Sequence, residues 1–183
     1  MKGNDVAVAA KQYVNAYKYI YGAKGELCSS AHIEELIAQS PAYFSDESKA
    51  TAARQKVGSY CADCSGYVCI CSGYTQYGSY ALYNIAKEKH PLVSQNGKII
   101  ANGTFIPRGA ILWKKGHVGI YIGSQKVVEA RSELLDVQIN IIGDRDFTHC
   151  LLLEGIDYEV DPNDAGVDSQ TTEGNGYITG QEK

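Results

Sequence analysis

The chain has 183 residues, 44% hydrophobic and 21% charged, with a formal net charge of −4 and six cysteines. That length and apolar content predict one globular core and exclude a disordered chain. The apolar runs fall far short of the roughly 20 residues a membrane-spanning helix needs, and with no block of Lys or Arg there is no nucleic-acid footprint.

The opening Met1-Lys2-Gly3-Asn4-Asp5 turns polar at once, so no secretory leader is expected. Synthesis in the cytoplasm follows, with the cysteines mostly reduced thiols. From Asn4 the residues Val6, Ala10, Tyr13, Val14, Tyr17, Ile20 and Tyr21 fall on one helical face, with Asn4 or Asp5 as cap. A second helix follows Ser30 and stops before Pro41. A third covers 46–56, with Ser45 as cap and acids in its first turn. The apolar segment 63–71 opens a fourth helix, and 80–88 makes a short fifth, ended by His90-Pro91.

After Pro107 the period changes to two. Residues 110–113, 118–122, 127–130, 137–142 and 150–153 read as strands separated by Gly, Ser, Asp and Asn turns. Helices followed by strands, without alternation, predict an α+β domain of N-terminal helices packed on an antiparallel sheet. The domain is expected over 1–160. The remainder, 161–183, is polar and acidic and reads as a tail or linker.

The densest unusual stretch is Cys61-Ala62-Asp63-Cys64-Ser65-Gly66-Tyr67-Val68-Cys69-Ile70-Cys71. A structural zinc site wants two ligand pairs separated by a longer loop, and here the second pair follows at once in an apolar strip. Cys28, Cys69, Cys71 and Cys150 read as small buried hydrophobes. Cys64 differs. The polar step Asp63-Cys64-Ser65-Gly66 before an apolar run sets it in the first turn of a helix, where the dipole favours a thiolate and free amides can hold an oxyanion.

A nucleophile needs a base, and the chain has four histidines. His32, His90 and His149 suit surface or capping roles. His117 opens the alternating run His117-Val118-Gly119-Ile120-Tyr121-Ile122, which puts His117 and Gly119 on one face with room beside the imidazole. If Gly123-Ser124-Gln125 is a three-residue hairpin loop, Glu129 lies opposite Gly119, where its carboxylate can accept from the imidazole. Arg131 then lies opposite His117, to pair with Glu129 or to meet a substrate carboxylate. A two-residue loop would turn Glu129 to the other face.

Asp63-Cys64-Ser65-Gly66, then His117-Val118-Gly119-Ile120-Tyr121-Ile122-Gly123, resembles the NlpC-type papain-like cysteine peptidases of bacterial cell walls. Tyr19-Ile20-Tyr21-Gly22 and Ile106-Pro107-Arg108-Gly109-Ala110-Ile111-Leu112 are similar to that family's aromatic-glycine segment and its turn into the first strand. The resemblance implies a papain-like fold and a thiol endopeptidase that cuts peptidoglycan stem peptides between D-γ-glutamate and the diamino acid. It implies Cys64 as nucleophile, His117 as base and Glu129 as third residue, with Tyr19, Asp63 and Ser65 lining the substrate groove. Glu129 stands where the family commonly has His, and Glu129-Ala130-Arg131 resembles a branch found in phage-encoded lysins. The long helical insert 28–61 replaces a shorter loop. A prophage endolysin that acts on the wall after release is therefore expected, needing no cofactor or metal. Alternatives are an amidase cutting between muramic acid and L-alanine, and a non-catalytic zinc or thiol module on Cys61 and Cys64.

Overall fold

A computed structural model describes residues 1–159; the expected polar tail, 161–183, lies outside the described residues. Helix α1 (Gly3–Gln12) buries Val6, Ala7 and Ala10. It ends nine residues before Tyr21, short of the single long helix that the periodicity predicts. Beyond Gln12 the chain turns to aromatic, β-branched and Asn residues, all weak helix formers. Tyr17–Lys18 instead becomes β1, pairing in parallel with β3 (Tyr60–Ala62). Strand β2 (Lys24–Leu27) joins the other side of β3, so the three form a small sheet that the periodicity did not reveal.

Helix α2 (Ser30–Gln39) is capped by Ser29, whose side chain accepts from the His32 N–H. Helix α3 (Glu47–Arg54) is capped by Asp46, not Ser45: Asp46 Oδ1 accepts from the Ser48 N–H, while Ser45 donates to the Ala42 carbonyl. Both helices cover a small core containing Ile33, Phe44, Ala53, Cys28 and Cys61. Helix α4 (Cys64–Ser72) is buried along almost its whole length and ends at Gly73, in the left-handed conformation.

Helix α5 (Ser79–Ile85) is shorter than expected, and His90-Pro91 is not its stop signal but part of a strand. Strand β4 (Glu88–Gln95) and β5 (Lys98–Ala101) form a hairpin turning at Asn96-Gly97, where φ is 50° and 75°. Asn-Gly at that turn was the available signal. Strand β4 pairs with β10 through 88–91 and with β5 through 92–95. Pro91 thus falls at the changeover between ladders, where its missing N–H matters least.

The remaining strands match the period-two reading: β6 (Ile111–Lys114), β7 (His117–Gly123), β8 (Lys126–Ser132), β9 (Asp136–Ile141) and β10 (His149–Leu152). They build an antiparallel seven-stranded sheet in the order β5-β4-β10-β6-β7-β8-β9. The side chain of Gln125, at the β7–β8 turn, exchanges hydrogen bonds with the Ile99 backbone on β5, so the sheet curls until remote parts meet. Helices α1 and α4 pack on one face, where Val118, Ile120 and Ile122 meet Val6, Ala10, Tyr67 and Val68. The other face encloses Leu112, Tyr121, Val127 and Cys150. The fold is α+β, as the element order predicts. Among the described residues, no helix is long and apolar enough to cross a membrane.

Candidate active site

The site begins at the β3–α4 junction. Asp63 caps α4: its Oδ1 accepts from the Gly66 N–H at 2.7 Å and from Ser65 Oγ at 2.8 Å, and its Oδ2 meets Lys24 Nζ at 2.6 Å. Lys24 also donates to Ser65 Oγ at 2.9 Å. The helix start lies tight against the chain entering β2. A Cβ at Gly66 would sit 2.8 Å from the Ala23 carbonyl oxygen, so glycine is required for that approach. Capping thus sets Cys64 as the first residue of α4, facing the middle of the sheet.

Backbone groups of Val118 and Ser65 lie close enough to hydrogen-bond the Cys64 sulfur. Burial nevertheless pushes the thiol up to about 11, reinforced by the Asp63 charge, and Val118, Lys24 and Ser65 oppose this without reversing it. The direction is opposite to the dipole-lowered thiolate expected at a helix N-terminus. Desolvation is the largest influence on the thiol because Cys64 is only 9% exposed.

Val118 follows His117, the first residue of β7. His117 and Cys64 line one cleft of about 510 Å³. His117 Nε2 lies 2.7 Å from Glu129 Oε2, and its ring stacks on Phe147. Glu129 is fully buried; Asn140 Nδ2 donates to its Oε1 at 2.9 Å, and Arg145 grips both oxygens, Nε at 2.7 Å and Nη2 at 3.1 Å. Burial acts to raise the Glu129 carboxyl, but the hydrogen bonds and charges of His117 and Arg145 hold it below the usual carboxylate range. An ionised carboxylate only accepts, so the His117 Nε2 carries the proton and Nδ1 is the basic nitrogen.

The hairpin that brings Glu129 to His117 differs from the expected one. The loop is the two-residue Ser124-Gln125, both residues at positive φ, between paired Gly123 and Lys126. Alone it would turn Glu129 away, but a bulge between Tyr121 and Gly123 shifts the register by one residue. Continuing the Ile120–Val128 pairing sets Glu129 opposite Gly119, where a Cβ would lie 3.2 Å from the Glu129 Cβ. The assumed loop was wrong, yet the strand face came out the same.

Tyr19, Asp63, Ser65 and Arg131 all line the cleft. The polar atoms of Asp63 and Ser65 are engaged with each other and with Lys24. Tyr19 is buried, its hydroxyl held strongly in the neutral form by burial and the nearby Cys64. Arg131 does not pair with Glu129; its guanidinium reaches Gln138 at 3.3 Å. Arg145 takes the ion-pair role, sixteen residues from Glu129 and without a local sequence signal.

Sequence reasoning also missed the cleft's far wall. Tyr21 and Tyr43 stack at 4.1 Å, and buried Glu133 accepts from the Tyr21 N–H and the Tyr43 hydroxyl. Buried Lys56 donates to the Tyr19 and Glu133 carbonyls and pairs with Asp136 at 2.6 Å. That ammonium ties the β8–β9 turn to the segment carrying Tyr19.

No protein-family model matches the chain, and no curated protein matches it. Among solved structures it is similar to NlpC1 from Trichomonas vaginalis (TM-score 0.48, 14% identity) and to NlpC2 from the same organism (TM-score 0.48, 13% identity). Each covers 82% of this chain, which spans only 43% and 46% of theirs. A likeness of this strength assigns neither family nor activity.

Cys61 belongs to the core under α2 and α3 and Cys64 to the main core. Among the described residues, the side chains gathered within metal-ligating reach are Glu26, Cys28 and His32.

Proposed function

We propose that the protein is a papain-like cysteine peptidase that hydrolyses amide bonds in bacterial cell-wall stem peptides. The observation that carries this reading is one cleft holding a helix-start thiol against the Val118 backbone, beside an imidazole oriented by a buried, ionised carboxylate. Because burial keeps the thiol neutral, its proton passes to His117 Nδ1 as the sulfur attacks the carbonyl carbon. Glu129, held by Arg145, stabilises the imidazolium that forms. The amide at the α4 N-terminus and the helix dipole face the developing oxyanion. His117 then returns the proton to the leaving amine, and water, activated by the same imidazole, hydrolyses the thioester.

Substrate choice rests on the cleft's walls. Arg131 offers a cation to a peptide carboxylate, and Tyr19 and the stacked Tyr21–Tyr43 pair offer flat apolar faces. Stem peptides carry free carboxylates, which suits that arrangement and the D-γ-glutamyl–diamino acid bond. The same reading makes the enzyme an endolysin acting on the wall after release, with 1–160 as its catalytic domain and 161–183 as tail or linker.

Zymography on gels containing bacterial walls tests the reading. Clearing by the parent protein and none by Cys64→Ala is the expected result; clearing that survives the substitution overturns it. Mass spectrometry of the digest identifies the bond. Cleavage inside the stem supports the endopeptidase, whereas intact stems freed from the glycan identify the amidase.

A further inference from the structure

Away from the cleft, where β2 leads into α2, the donor atoms of Glu26, Cys28 and His32 all lie within 4.8 Å of one another. We propose that these three side chains form a binding site for a borderline-soft divalent cation of the zinc class. Around tetrahedral zinc, bonds of about 2.0–2.3 Å put ligand atoms roughly 3.3–3.8 Å apart, so small side-chain movements close the site. The donor set (one thiolate, one imidazole, one carboxylate) favours zinc over oxygen-seeking calcium or magnesium.

The outer contacts support this more than the distances do. His32 directs Nε2 at Glu26 Oε1, at 2.8 Å, and Nδ1 at Glu35 Oε2, at 3.4 Å. A metal-bound imidazole typically donates its other N–H to a carboxylate in this way. Glu26 presents Oε1 to the group while Oε2 accepts from the Lys24 N–H at 2.8 Å. Cys28 is fixed by its backbone: its N–H donates to the Ser59 carbonyl at 2.9 Å, and its carbonyl accepts from the Gly58 N–H at 2.8 Å. An ordinary His–Glu ion pair accounts for Glu26 and His32 but not for a buried thiol within reach of both. The neighbouring Cys61 thiol donates to the Ser59 carbonyl at 3.6 Å and stands outside the group, so a water molecule takes the fourth position. His32 and Glu26 are each about one-third exposed, giving the ion a way in. Binding displaces the Cys28 thiol proton to solvent and involves no change of oxidation state.

The cation would join the end of β2 to the first turn of α2, stiffening the insert that carries Tyr43 to the cleft. That role is structural and independent of the proposed chemistry at Cys64.

The test uses the full chain, stripped of metal and titrated with zinc alone, then with cobalt as a spectroscopic probe. Stoichiometric binding is expected, with a thiolate-to-cobalt charge-transfer band in the near ultraviolet. Cys28→Ser and His32→Ala should each weaken binding about ten- to a hundredfold, and Glu35→Gln by about tenfold. Glu26→Gln and His32→Ala alter partly exposed side chains, so an unchanged circular dichroism spectrum shows that lost binding is not lost folding. Binding that persists in Cys28→Ser and His32→Ala, or that disappears in Cys64→Ser instead, would overturn the proposal. So would a failure to bind zinc at micromolar concentration.

Discussion

His117 and Glu129 stand twelve residues apart on neighbouring strands, with Nε2 and Oε2 separated by 2.7 Å. The contact depends on the unsubstituted Gly119 lying across from Glu129 and on the bulge that sets that register. Its direction is enforced from behind, where Arg145 and Asn140 occupy the remaining capacity of the carboxylate.

Cys64 should be the first cysteine alkylated by iodoacetamide in the native protein. Among the described residues it is the cysteine that lines the cleft, and the other five are at most 4% exposed. A rate advantage on the order of tenfold, read by peptide mass spectrometry, is the expected outcome. Because burial pushes its thiol up to about 11, the rate should keep climbing through the alkaline range. A plateau near neutrality would reveal a preformed thiolate–imidazolium pair and contradict the proposed order of proton transfer.

Glu129→Gln removes the charge that supports the imidazolium and should lower the hydrolytic rate by roughly 10²- to 10⁴-fold. It also strands Arg145, at a cost of about 3 kcal/mol. Arg145→Met strands the carboxylate instead. Urea melts of both variants and of the double variant should give less destabilisation than the sum. Additive losses would mean that the buried pair is not an energetic unit.

Acid should weaken the fold through the same residue. The folded-state pKa of Glu129 is lowered, so its contribution is fully present above the ordinary carboxylate range. It is lost as pH falls through the lower folded value. Urea melts from neutral pH down to about pH 3, spanning the ordinary glutamate value, should show a slope that Glu129→Gln flattens. An equal slope in that variant would assign the acid sensitivity elsewhere.

Gly119→Ala should damage both stability and activity. Its Cβ would lie 2.7 Å from a Val127 methyl and 3.0 Å from the Val128 carbonyl oxygen, against buried and hydrogen-bonded chain. A loss of about 1–3 kcal/mol is expected, with a fall in kcat from displacement of Glu129. A fully active, equally stable variant would show that the strands separate easily here.

Lys56→Met tests the cleft's far wall. The ammonium serves two carbonyls and Asp136 from a buried position. Its removal should cost about 3 kcal/mol and raise KM more than it lowers kcat, because Tyr19 and Glu133 lose their anchor while Cys64 and His117 keep theirs. A fall confined to kcat would place Lys56 in the chemistry.

Periodicity carried the reading wherever one face of an element meets one core. Strands β6 to β10 alternate, or run apolar where both faces are buried, and α2 and α3 show a clear buried side. It failed where a neighbour supplied the structure. Tyr17–Lys18 became a strand because β3 lay alongside, and β4 holds a proline that the ladder changeover tolerates.

Local chemistry in the chain was enough to mark Cys64, since a capping Asp before an apolar run defines a helix start within four residues. It was enough to mark His117 and, through strand alternation, to suggest Glu129. The packing of α4 against β7 decided that the thiol meets the Val118 backbone and that burial raises it. The path of the chain beyond β9 decided that Arg145, and not the nearer Arg131, holds the carboxylate. Capping and alternation act over a few residues and so leave a pattern in sequence. Desolvation and ion pairing depend on which distant surfaces close together, and no local spacing records that.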